Sequence, residues 1–207
     1  IRDDLVTGVQ TCALPISLSM YDIKNKEVIL PSLSFVATAN AIIENQGIPK
    51  FVDVDEKTLC IDPKKILESI SNKTKIILPV HFGGFSSNLT EISKICKKHK
   101  IHLIEDAAHA TGSIYKNKKI GNYGELVCFS FHPVKNLAMP TGGLISINSK
   151  NYKKMEKRLK EKRWCGITNR NGVNYDVKNL GWNYYMNEFS AAIGLEQLKK
   201  IEFTNNK

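Results

Sequence analysis

From Glu27 onward, short apolar runs alternate with longer stretches whose apolar residues recur at helical spacing. That alternation leaves few architectures open. VILPSL (28–33) reads as a buried strand and 35–45 as a helix, with Gly47 just past its end, where a left-handed residue is favoured. FVDV (51–54) is the next strand, a helix opens at Asp62 with Pro63 in its first turn, and IILPV (76–80) follows as a strand. Asn88 and Glu91 have the spacing of a capping box for a helix that ends in Lys97-Lys98-His99-Lys100. IHLIED, LVCFSF and GLISI are further strands, and 152–163 and 188–202 read as amphipathic helices. Strands interleaved with helices imply an α/β domain around a mostly parallel sheet flanked by helices.

The opening residues do not share this pattern. VTGVQTCALPI (6–16) resembles the translation of a sequencing adapter, so 1–16 is set aside as a foreign segment and the domain is taken to run over 17–207. With 207 residues, 42% of them hydrophobic, there is enough chain for one substantial core. No apolar run approaches the ~20 residues that span a bilayer, and the start lacks a secretory signal, so a cytoplasmic protein without membrane contact is expected. The five cysteines (Cys12, Cys60, Cys96, Cys128, Cys165) are scattered and never in a CxxC pair, which argues against a disulfide framework and a zinc site; no metal is expected. The net charge of +10 raises nucleic-acid binding. Its lysines, however, fall on helix faces and turns, mixed with Glu and without interleaved aromatics, which favours a solvated surface and no nucleic-acid partner.

In a parallel sheet, ligands bind beyond the carboxyl ends of the strands. EDAAHA places Glu105, Asp106 and His109 at such an end. A carboxylate there can keep a ring nitrogen protonated, or simply cap the next turn. SFHPVKN places Ser130, His132 and Lys135 after another strand. A lysine at that place suits Schiff-base chemistry if burial or a nearby cation lowers its basicity, although most lysines in so lysine-rich a chain are merely solvated. Gly142-Gly143 and Gly83-Gly84 are read as turns.

Taken in order, LPSLSFVATANAI, FVDVD, KIILPVHFGG, EDAAHATGSIYKNKKIGNYG, CFSFHPVKNLAMPTGGLI and GWNYYMNEFSAAIGLEQL resemble the DegT/DnrJ/EryC1/StrS family of sugar aminotransferases. The resemblance implies the large domain of a fold-type-I enzyme dependent on pyridoxal 5'-phosphate. By this resemblance Lys135 is the lysine of the internal aldimine, Asp106 pairs with the pyridine nitrogen, and His109 lies near the phenolic oxygen. Phe35 stacks on the ring, Ser130 contacts the phosphate, and Asn183 reaches the phosphate of a neighbouring subunit's cofactor. It further implies a homodimer with shared active sites, and transamination of a nucleotide-linked keto sugar with glutamate as donor. Two departures stand out: the family's Gly-Thr-Ser phosphate segment is absent where the foreign stretch stands, and the C-terminal small domain is missing. A fragment without catalysis, or a basic binding module without cofactor, is therefore the alternative.

Overall fold

The computed structural model describes residues 5–7 and 10–206, with side chains from Ala13 onward. In chain order, β1 (Leu5–Thr7) and α1 (Gln10–Leu18) precede β2 (Glu27–Pro31), α2 (Val36–Glu44), β3 (Ile48–Val52), α3 (Pro63–Ser69), β4 (Thr74–Ile77), α4 (Leu89–His99) and β5 (His102–Asp106). A small hairpin, β6 (Ile114–Tyr115) and β7 (Lys118–Lys119), leads to β8 (Leu126–Ser130), β9 (Gly143–Ile147) and α5 (Tyr152–Arg163). A second hairpin, β10 (Ile167–Asn171) and β11 (Asn174–Val177), is followed by α6 (Glu188–Leu198) and α7 (Ile201–Asn205).

Seven strands form one sheet in the order β1-β9-β8-β5-β4-β2-β3. The run from β3 to β8 is parallel, and β9 lies antiparallel to both its neighbours. Alternate residues of each strand face opposite layers. Val28, Leu30, Ile76, Leu78, Ile104 and Leu126 pack with Ala41, Ile42 and Leu159 of α2 and α5. On the other face, Ile29, Ile77 and Leu103 pack with Ile66 of α3 and Ile92 and Ile95 of α4. Both faces are thus covered, which is why the central strands are near-continuous apolar runs.

The helix signals act where expected, with one exchange of roles. Asp62 accepts a hydrogen bond from the Lys64 N–H at 2.8 Å, and Asn88 accepts one from the Glu91 N–H at 3.3 Å. At the end of α2 the left-handed residue is Gln46, at φ 59°, and not Gly47. The Gln46 N–H donates to Ile43 O and the Gly47 N–H to Ile42 O, the paired bonds of a Schellman ending. Gly47 is required by space instead: a Cβ there would stand 2.9 Å from Ile42 Cγ2 and 3.0 Å from Ile23 Cδ1. The helix expected over 188–202 breaks at Lys199 and Lys200 into α6 and α7.

The stretch 6–16 does take part in this fold, which corrects its exclusion from it. Most of α1 (Gln10–Leu18) falls in it, and Ala13, Leu14 and Ile16 are buried in the same core as Ala41, Ile42 and Leu159. Small and branched apolar side chains of suitable volume can fill such a layer whatever their origin. The foreign origin of 1–16 remains a proposal, and its residues 1–4, 8 and 9, with the side chain of Cys12, lie outside the described residues. Cys60, Cys96 and Cys128 are buried free thiols, and Cys165 is an exposed one. Among the described residues no helix is long and apolar enough to cross a membrane, and no cluster of His, Cys, Asp or Glu has the makings of a metal site.

Candidate active site

The carboxyl ends of β2, β4, β5 and β8, four adjacent parallel strands, carry most of the residues singled out in the sequence. Asp106 is the last residue of β5 and is 3% exposed. It shares a sheet face with Ile104, and so meets α2: the Thr38 hydroxyl donates to Asp106 Oδ2 at 2.8 Å, while the Ala108 N–H donates to Oδ1 at 3.1 Å. Burial holds the Asp106 carboxyl above the usual carboxylate range, opposed by these two hydrogen bonds. The small side chains of Ala107, Ala108 and Ala110 let the chain turn tightly after the strand, closed by an Ala110 N–H to Ala107 O bond.

That turn presents His109, whose side chain is exposed. Its Nδ1 accepts the Gly83 N–H at 3.3 Å, which makes Nε2 the nitrogen bearing the hydrogen of a neutral ring. Burial and then the Lys135 charge lower its basicity, and the Asp106 charge opposes them. Gly83 and Gly84 are therefore more than a turn. Both have positive φ, and a Cβ on Gly84 would lie 2.9 Å from His109 O, so Gly84 admits the His109 backbone while Gly83 donates its N–H to the ring.

Lys135 lies in the connection 131–142 between β8 and β9. Phe131, Leu137 and Met139 are buried and anchor this connection, and His132 to Lys135 closes a turn with Pro133 in its second position. The Asn136 side chain donates to Thr111 O at 2.7 Å, tying the segment of Lys135 to the turn that carries His109. Burial lowers the basicity of the Lys135 amine, with the Asp106 charge acting the other way. The Asp106 charge thus acts on both His109 and Lys135, and the Lys135 charge on His109.

Ser130 is the fully buried last residue of β8, and its Oγ accepts the His132 N–H at 3.2 Å. Phe35 is the exposed N-cap of α2, one turn before Thr38. Asn183 stands apart, exposed on a segment that bridges antiparallel to Trp164 beyond α5. Sequence reasoning passed over Thr38, which sits mid-pattern in an amphipathic helix, and Asn136, whose side chain pins the lysine segment. Neither residue carries a local signature, because each role depends on a partner distant in sequence.

The fold matches those of solved structures closely. Helicobacter pylori PseC, described as an aminotransferase involved in the biosynthesis of pseudoaminic acid, superposes with a TM-score of 0.92 at 32% identity, over 98% of this chain and 54% of that one. The putative sugar aminotransferase Spr1654 from Streptococcus pneumoniae, in its PLP form, superposes at 0.91 and 25% identity, over 98% of this chain and 56% of that one. In sequence, the UDP-4-amino-4,6-dideoxy-N-acetyl-beta-L-altrosamine transaminase of Campylobacter jejuni is 37% identical over 210 residues, covering 100% of this chain and 55% of that protein. The chain spans about half the length of the curated relatives it matches. The model of the DegT/DnrJ/EryC1/StrS aminotransferase family matches residues 5–207, and the chain belongs to that family.

Proposed function

We propose that the protein is a pyridoxal-phosphate-dependent aminotransferase that replaces the keto group of a nucleotide-linked sugar by an amino group, with glutamate as donor. The observation that carries this reading is the placement of Asp106, held by Thr38 and Ala108, His109, held by Gly83, and the Lys135 segment, tied by Asn136 to Thr111, at one strand-end edge of an aminotransferase-family fold. The Campylobacter relative, named for a UDP-linked amino sugar, supports the substrate class.

The residues present fit the cofactor: a buried carboxylate for a ring nitrogen, an amine of lowered basicity, and a buried hydroxyl at a neighbouring strand end. When bound, pyridoxal phosphate supplies the electron sink that makes amino exchange possible. Lys135 is the residue that would hold the cofactor covalently. Its Nζ, less basic than that of a solvated lysine, is neutral in a larger fraction of molecules at neutral pH and can take up and return a proton. Asp106, held by Thr38 and Ala108, sets the charge beside the ring nitrogen. With the cofactor bound, His109 would offer its Nε2 hydrogen to the phenolic oxygen, Phe35 would cover a ring face, and Ser130 would contact the phosphate. Asn183 serves the phosphate of a second copy in a homodimer, and the enzyme is cytoplasmic.

The basic surface supplies a weaker alternative. On α4 and α5 the lysines are interleaved with acids, as in the Lys94–Glu91 and Lys160–Glu156 pairs, and a polyanion would have to displace them. The direct test is Lys135→Ala, for which the half-reaction with glutamate falls at least ~10³-fold while the fold is retained. A half-reaction that persists at wild-type rate in the variant would overturn the assignment.

A further inference from the structure

Glu105 and Asp106 are consecutive residues of β5, so their side chains leave opposite faces of the sheet. Asp106 faces α2. Glu105 faces the layer of α3 and α4, and the site above makes no use of it. Yet Glu105 and His81 are both fully buried, with His81 Nε2 2.7 Å from Glu105 Oε2. A well-packed apolar pair in this place would be at least as stable, so such a pair is a poor device for stability alone. What it supplies is direction.

The hydrogen bonds around the pair leave little freedom. His81 Nδ1 accepts the Ser87 N–H at 3.1 Å, so Nε2 carries the ring hydrogen and donates it to Glu105. The other carboxylate oxygen, Oε1, accepts the N–H of Gly124, where a Cβ would stand 2.7 Å from that same oxygen. The backbone closes the arrangement. The Asp106 N–H donates to Pro79 O at 2.9 Å, and the His81 N–H donates to Asp106 O at 3.0 Å. His81 therefore grips the end of β5 twice, by its backbone at Asp106 and by its ring at Glu105. On the β8 side, the Ala107 N–H donates to Cys128 O at 2.8 Å.

We propose that His81 and Glu105 form a buried clamp that sets the position of the Asp106 carboxylate. They are positioning residues for the transamination, acting through β5 without touching substrate or cofactor. A functional carboxylate must be held within ~0.5 Å of its productive place, and a directional bond on each flank of Asp106 does this where apolar packing would let the strand end slide. That the fixed carboxylate serves a cofactor rests on the function proposed above. The clamp itself does not.

Three variants separate the two ring nitrogens. His81→Gln keeps a donor near the Nε2 position, His81→Asn keeps an acceptor near the Nδ1 position, and His81→Leu keeps neither. Asn leaves the Glu105 carboxylate and Gln the Ser87 N–H unmatched, so a merely structural role would lower both melting temperatures, that of Asn more, and would raise amide exchange at Ala108 only in step with that loss. The clamp instead requires that the two part further than the difference in their stabilities accounts for. In the cofactor-free protein, amide exchange at Ala108, whose N–H is bonded to Asp106 Oδ1, stays near wild type in Gln and rises roughly tenfold or more in Asn and Leu. In absorbance titrations with pyridoxal phosphate, Asn and Leu bind roughly tenfold more weakly and Gln near normally. Equal behaviour of Gln and Asn in both readouts, or a difference that only follows their stabilities, overturns the clamp, and that comparison suffices even if Leu does not fold. If exchange follows the expected order but the wild-type protein binds no pyridoxal phosphate, the clamp is supported and the proposed function fails.

Discussion

At the scale of single residues, burial of one carboxyl works against stability. Asp106 is a carboxyl held above its ordinary range by burial, so the folded state binds its proton more readily than the unfolded chain does. The sign follows: stability is lost as pH rises from the unfolded carboxyl range, near ~4, towards the folded value, and the deficit persists above it. Asp106→Asn removes the charge and keeps groups able to bond to Thr38 and Ala108. It should therefore melt higher than wild type at pH 7, by ~2–4 °C for each kcal/mol recovered, with a gap that narrows at acid pH, while transamination is lost. Thermal melts of both proteins across pH check this. A variant that melts lower at pH 7, or a gap that does not depend on pH, would contradict a destabilising buried charge at Asp106.

At the scale of elements, the end of α2 gives a clean test of backbone against packing. Gln46 occupies a left-handed conformation that costs a residue with a side chain ~1 kcal/mol, whereas Gly47 is held small by Ile42 and Ile23. Gln46→Gly should raise the melting temperature by ~2–4 °C and Gly47→Ala should lower it. Calorimetry showing the opposite order would mean that the glycine, not the glutamine, bears the turn. The same helix end shows what was legible in the sequence. Strands, helix caps and the place of Lys135 could be read because each is written in local pattern: a period, a capping residue, an apolar run ending in polar residues. Which of two neighbours turns left-handed could not be, since Ile23 enters the decision from outside the helix. The antiparallel β9 and the bond from Thr38 to Asp106 likewise depend on partners outside the local pattern, whereas the hairpin of β10 and β11 turns locally at Gly172, whose positive φ suits the Asn171-Gly172 step. Residues 13–18 lacked any pattern to recommend them, yet Ala13, Leu14, Ile16 and Leu18 are buried in the core and Ser17 Oγ lies 3.2 Å from Cys128 Sγ.

At the scale of the whole molecule, the sheet is well covered and α6 is not. α6 buries Ser190 and Gly194, while Phe189, Ile193, Leu195 and Leu198 are exposed, an apolar helix surface of the kind that subunits bury against each other. The proposed homodimer would cover it. Sedimentation should give a dimer for the wild-type protein and a monomer for Phe189→Glu with Ile193→Glu; a wild-type monomer at high concentration would remove the shared-site part of the proposal. The assignment of Lys135 singles out one residue among the 30 lysines and arginines of the chain. Its most direct measurement is reduction of the protein with borohydride in the presence of pyridoxal phosphate, followed by peptide mapping. The account predicts a single cofactor-modified peptide with the label on Lys135. A label on another lysine, spread over many, or absent altogether would contradict it.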